Sequence, residues 1–238
     1  MIKLFEQFKT EQEIHDICRK YNIEDYIINS DGTIDVDGNV NLYGKGLSKL
    51  PIKFNKVSDN FTCYNNKLTT LDGSPNYVGG SFICSDNKLT TLQGSPKEVG
   101  NLFWCYRNEL TTLDGSPSII YSDFHCSSNK LTTLEGSPER VGGSFRCSGN
   151  KLTSLKGSPF IINDTFDIDS NPISIIDSSI IVNGSVLIDD MVFDDKIITL
   201  SQDKLRILFE HGVDYDIFDK NGSVNHKRLE RMFKDFNI

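Results

Sequence analysis

Residues 78–98 read VGGSFICSDNKLTTLQGSPKE, and residues 99–119, VGNLFWCYRNELTTLDGSPSI, repeat them slot for slot. The same 21-residue step carries the tripeptide Asn-Lys/Glu-Leu at Asn66, Asn87, Asn108, Asn129 and Asn150. It also carries Phe at 61, 82, 103, 124, 145 and 166, Cys at 63, 84, 105, 126 and 147, and Gly-Ser-Pro ending at 75, 96, 117, 138 and 159. A fixed period of this length marks a stack of like units, each of which buries its apolar face only against its neighbours. In Phe-x-Cys, residues two apart face the same side of a strand, so Phe and Cys point inward and the residue between them points out. The Asn slot follows the strand, where its amide satisfies backbone groups that a tight bend would otherwise leave unpaired. Gly-Ser-Pro supplies a bend and an extended return.

The unit V-x-x-x-F-x-C-x-x-N-x-L-T-x-L-x-G-S-P resembles the leucine-rich repeat, with Phe82, Cys84, Asn87 and Leu89 in the signature's spacing. It departs at the signature's first leucine, whose place is taken one residue earlier by Val78, Val99 and Val141, so the loop before the strand is where the fold would differ. Weaker copies at Val40-x-Leu42 and Val186-x-Ile188 extend the array. The expectation is a leucine-rich-repeat solenoid of about eight 21-residue rungs, with a parallel β-sheet on its concave face and little or no convex helix.

Short helical caps are expected at both ends, because terminal rungs of a solenoid must cover an otherwise exposed core. Phe5, Phe8, Ile14 and Ile17 lie at helical spacings near the start; Leu205, Leu208, Phe209, Leu229, Met232 and Phe233 do so near the end. Lys45 and Met191 stand where the Asn slot would fall in the outermost copies. The chain divides accordingly into a cap over residues 1–30, a solenoid over 31–193 and a second cap over 194–238.

The stretch DGTIDVDGNVNL at 31–42, LSKLP at 47–51 and the recurring NKLTTLxGSP together resemble a group of small leucine-rich-repeat proteins of tailed bacteriophages. That resemblance implies a viral origin and action inside a bacterial host; it implies no reaction.

A formal net charge of −8 disfavours nucleic acid as a partner, since phosphate backbones are bound mainly through Lys and Arg. No segment approaches the roughly 18 apolar residues that span a membrane, and the first residues offer no uninterrupted apolar run, so a cytoplasmic protein is expected. Five of the six cysteines occupy one repeat slot and none forms a C-x-x-C pair, which reads as small buried hydrophobes and neither metal ligands nor disulfides. A ubiquitin-ligase reading fails because no cysteine follows Cys147. Asp219, Asn221, Gly222 and Ser223 brush against a calcium loop, but Ile217 takes its first ligand slot and Arg228 its twelfth, leaving a turn. No catalytic constellation is visible, and no enzyme activity, metal or cofactor is expected.

Function is expected on the outward positions, where rungs differ. The column between Phe and Cys runs Asn41, Thr62, Ile83, Trp104, His125, Arg146, Asp167 and Leu187. The column after Cys contains Tyr64 and Tyr106, with Arg107 next, and Leu102 precedes Phe103. These columns put Leu102, Trp104, Tyr106 and Arg107 on one rung, flanked by Ile83, His125, Arg146 and, further off, Tyr64. Trp, Tyr and Arg are the residue types enriched at interface hot spots, and the opposite charges of Arg146 and Asp167 describe a polar rim. The expected role is non-enzymatic binding of a protein partner, one of the bacterial host if the phage resemblance guides, such as a defence component to be sequestered. A virion structural component is one alternative. The other is a small anionic ligand such as a nucleotide, stacked on Trp104 and held by Arg107 or Arg146.

Overall fold

A computed structural model describes residues 9–173, 181–188, 191–193, 217 and 225–237. The chain winds as a parallel β-solenoid in which Phe61, Phe82, Phe103, Phe124, Phe145 and Phe166 lie in exact register across neighbouring coils. Eight parallel strands stack in this sheet, from Val40–Asn41 to Val186–Ile188, so seven turns separate the first from the last. Among the described residues no helix lies between the coils.

Each coil carries a second parallel strand in the loop ahead of the Phe strand. Tyr77–Val78, Glu98–Val99, Ile119–Ile120 and Arg140–Val141 pair side by side in a separate sheet. The reason is the valine slot. Val57, Val78 and Val99 are fully buried and Ile120 and Val141 nearly so, while their outward neighbours Tyr77 and Glu98 are exposed. A two-residue strand suffices to lay this slot against the Phe column. Among the described residues the third wall has no strand longer than a single bridge but keeps a backbone ladder, as in Lys88 N–H to Leu68 O at 2.9 Å and Glu109 N–H to Leu89 O at 2.8 Å.

Inside, successive Phe rings lie 5.2–5.5 Å apart from Phe61 to Phe166, and Phe54 closes the near end edge-on to Phe61 at 5.0 Å. Fully burying each such ring contributes about 1.5–3 kcal/mol. Beside them the five Cys side chains of the repeat are buried and free. Burial pushes their thiols up, to about 12 for Cys63, so none is a ready nucleophile or metal ligand.

The Asn ladder stitches coils together. Asn108 donates from Nδ2 to Cys84 O at 3.1 Å in the preceding coil and to Cys105 O at 3.0 Å in its own, and its Oδ1 accepts from Leu89 N–H at 3.0 Å. The ladder runs one rung beyond the Asn-Lys/Glu-Leu pattern, to Asn171, which bonds Cys147 O at 3.1 Å and Leu152 N–H at 3.1 Å in the same way.

At the N-terminal end, helix α1 (Glu11–Tyr21) starts on a Thr10/Glu13 capping box and stops at Asn22 in the left-handed region. It buries Ile14 and Cys18, with Ile17 packed alongside. Strands β1 (Tyr26–Ile28) and β2 (Ile34–Val36) form an antiparallel hairpin across residue 30, so cap and first rung share a sheet. At the far end Met191–Phe193 folds back antiparallel on Val186–Ile188. Helix α2 (His226–Asp235) buries Leu229, Met232 and Phe233. Phe5, Phe8, Leu205, Leu208, Phe209 and the Asp219–Ser223 turn lie outside the described residues. No helix among the described residues is long and apolar enough to cross a membrane.

Candidate partner-binding site

The register places Asn41, Thr62, Ile83, Trp104, His125, Arg146, Asp167 and Leu187 in one outward column of the Phe sheet. Beneath it every Phe and Cys neighbour is fully buried from Phe61 to Cys147. Trp104, Tyr106 and His125 meet on this face. The Tyr106 and His125 rings lie 4.6 Å apart, Trp104 lies 6.2 Å from Tyr106, and it meets His125 edge-on at 6.4 Å. Ile83 and Leu102 flank Trp104, and all five side chains are half-buried.

Two residues of this rung occupy slots for which the fold prefers something else, and a third carries an unpaired donor. In the slot before Phe, Asn60 Oδ1 accepts Ser81 N–H at 2.7 Å and Asp123 Oδ1 accepts Ser144 N–H at 2.9 Å. Leu102 offers no acceptor and interrupts that ladder. In the slot before the ladder Asn, every coil from Gly44 to Ser170 turns through positive φ, and Asn65, Asp86 and Gly149 are residues that tolerate it. Arg107 adopts φ 51° there. Trp104 presents an indole N–H that is buried without a hydrogen-bond partner among the described residues, as is the Ser85 hydroxyl. A buried donor left unpaired weakens the fold, so packing alone does not account for Trp104.

Charge around the aromatic centre is balanced pairwise. Arg107 lies 3.7 Å from Asp86 and over the Tyr106 ring at 6.0 Å. Arg146 is in register with Asp167, yet its guanidinium bonds Asp123 at 2.8 Å, one coil back. The guanidinium thus takes its carboxylate from the row before Phe and not from its own column. Burial first, and then the neighbouring Arg146 charge, pull the His125 imidazole below its ordinary range; Asp167 and Asp123 offset this in part. The centre of the patch is thus a neutral aromatic surface inside a rim of paired ions.

Tyr64 stands apart from this group. It stacks on Tyr43 at 4.2 Å, with the fully buried Ser85 in the slot between it and Tyr106. Tyr43 was missed in the sequence, though it sits one period before Tyr64 and is exposed. Among the described residues no group of three or more His, Cys, Asp or Glu is placed to hold a metal ion. The chain matches no known family model, no curated protein and no solved structure.

Proposed function

We propose that this protein is a non-enzymatic binding module whose outward Phe-sheet face docks one specific protein, centred on Trp104, Tyr106 and His125 and bordered by Ile83, Leu102, Arg107 and Arg146. The observation that carries this reading is the meeting of Trp104, Tyr106 and His125 on one face, with Tyr106 and Arg107 in slots that other coils fill mostly with small polar residues. Large, rigid, partly polar groups of this kind supply most of the energy at protein interfaces, and a rim of ion pairs supplies specificity. The resemblance to leucine-rich-repeat proteins of tailed phages makes the partner a bacterial host protein, with sequestration of a defence component as the biological role, in the host cytoplasm.

A nucleotide on the same face is disfavoured because Arg107 and Arg146 each already face a carboxylate. The test is affinity capture from bacterial lysate with wild type beside a Trp104→Ala/Arg107→Ala variant, after both are shown to melt alike. A defined host protein retained by wild type and lost by the variant supports the reading. Equal retention moves the interface elsewhere, and recovery of phage structural proteins alone replaces it with a virion component.

A further inference from the structure

The first coil breaks the repeat in one particular way. The slots filled by Asn66, Thr70 and Ser74 are filled by Asn, Thr and Ser again at 87, 91 and 95, at 108, 112 and 116, and at 129, 133 and 137. In the first coil the same three slots hold Lys45, Lys49 and Lys53. The fold does not require them. Leu47 and Leu50 stay in phase with Leu68 and Leu71, the third-wall ladder is intact through Lys67 N–H to Leu47 O at 2.8 Å, and all three lysines are exposed.

With Lys9, they line an open cavity of about 820 Å³ bordered by the entry to α1, its last residue Tyr21, the turn at 31–32 and the first coil. Leu47, Pro51 and Ile52 give it an apolar side. Of the two carboxylates present, Asp31 is held below its ordinary range by the Thr33 hydroxyl and amide and then by Lys53, so Lys53 is already opposed. Lys45 and Lys49 make no ion pair among the described residues, and Lys9 is met only by the charge of Glu13 without an ion-pair contact, whereas Lys130 and Lys156 are matched by Glu109 and Glu135 one coil back. Lys45 and Lys49 have no counter-ion in contact and, with Lys9, gather positive charge at one place in a chain of net charge −8, which an anion of two or more charges would balance.

We propose that this cavity binds a small phosphate-bearing molecule, its phosphate held by Lys9, Lys45 and Lys49 and its less polar part laid against Tyr21, Leu47 and Pro51. The volume lies within the range of small-molecule sites, which pair apolar walls with a few convergent polar groups. Thr70 Oγ1 accepts the Asp72 N–H at 3.1 Å, which leaves its hydroxyl proton free to donate into the cavity. The site lies at the N-terminal shoulder of the solenoid and stands independently of the face centred on Trp104.

Calorimetric titration with pyrophosphate at low ionic strength tests it. The variant Lys45→Asn/Lys49→Thr gives the first coil the residues its successors use, and folding is checked by thermal melting. A control, Lys67→Gln/Lys88→Gln, removes the same charge from later coils. Wild type and control bind pyrophosphate with one Kd, and the first-coil variant binds at least about tenfold more weakly, as loss of roughly 1.4 kcal/mol implies. Absence of binding to wild type, or equal weakening in the control, overturns the proposal and leaves the lysines as solubilising charges on a terminal coil. Should the double variant not fold, Lys9→Gln is read by the same criteria.

Discussion

Phe103 and Trp104 are consecutive residues of one two-residue strand, yet they answer to different constraints. Phe103 is fully buried between Phe82 and Phe124, at 5.3 and 5.2 Å, in a column that uses the same residue in six coils. Trp104 is half-buried between Ile83 and His125 in a column that never repeats a residue. Inside, stacking at a fixed rise lets one shape fit only itself, so the coils from Phe61 to Leu155 converge on Phe, Cys, Leu and Asn. Outside, neighbouring coils impose no common shape, and the residue found there reflects whatever meets that face from solvent.

The largest effects belong to the inner column. Replacing Phe103→Ala is expected to cost about 3–5 kcal/mol, the usual range for removing a ring from a packed core. Asn108→Ala comes close behind, because it strips buried backbone groups of Leu89, Cys84 and Cys105 of their partners, each worth about 1–3 kcal/mol. Urea unfolding of the two variants measures both. Survival of Asn108→Ala with wild-type stability would mean that the ladder does not bind the coils together.

On the outer column the ranking reverses between stability and binding. Trp104→Ala is expected to change stability by less than about 1 kcal/mol while weakening capture of the partner by about 2 kcal/mol or more. Its indole N–H has no acceptor among the described residues, so the fold loses little with it. A large loss of stability without loss of partner would make Trp104 a packing residue and dissolve the contrast with Phe103.

The inner column was legible in the sequence because identity at a fixed period is hard to mistake: the slots of Phe, Cys, Leu and Asn, the direction each faces and the candidate rung all followed from it. The valine sheet was not, because its strands from Tyr77–Val78 onward are two residues long. Its outward slot runs Tyr77, Glu98, Ile119 and Arg140, too mixed to show alternation. Asn171 escaped because proline follows it where other copies carry Lys or Glu. The bond of Arg146 to Asp123 escaped for a different reason. A column predicts which backbones are adjacent, whereas a long side chain selects its partner from three rows at once.

A smaller effect separates the two requirements at one residue. Arg107 sits at φ 51°, where Asn65 and Asp86 occupy the equivalent slot at φ 55° and 53°. The left-handed region costs most L-residues about 1–2 kcal/mol and Asn or Asp less. Arg107→Asn is therefore expected to raise stability by up to about 1 kcal/mol, read as a shift in unfolding midpoint, and to weaken partner capture in parallel. Loss of stability would show that the contacts of Arg107 with Asp86 and Tyr106 outweigh its backbone cost, and would return that residue to the scaffold.

The smallest effect is titration of His125, and its sign is set by the direction of the shift. Burial, followed by Arg146, holds the folded imidazole below its ordinary value of 6.5, with Asp167 and Asp123 opposing. As pH falls through about 6.5 the unfolded chain takes up a proton that the folded chain refuses, so stability declines until the folded value is passed and then stays level. The decline should vanish in His125→Phe, which keeps the ring against Tyr106 and removes the proton site; unfolding of both proteins at about pH 7.5 and about pH 5.5 resolves it. A partner that covers Trp104 and Tyr106 would bury the imidazole further, so acid should weaken binding more than it weakens the fold. If binding is instead indifferent to pH over this interval, the docked surface does not include His125, and the neutral centre of the patch shifts toward Ile83 and Leu102.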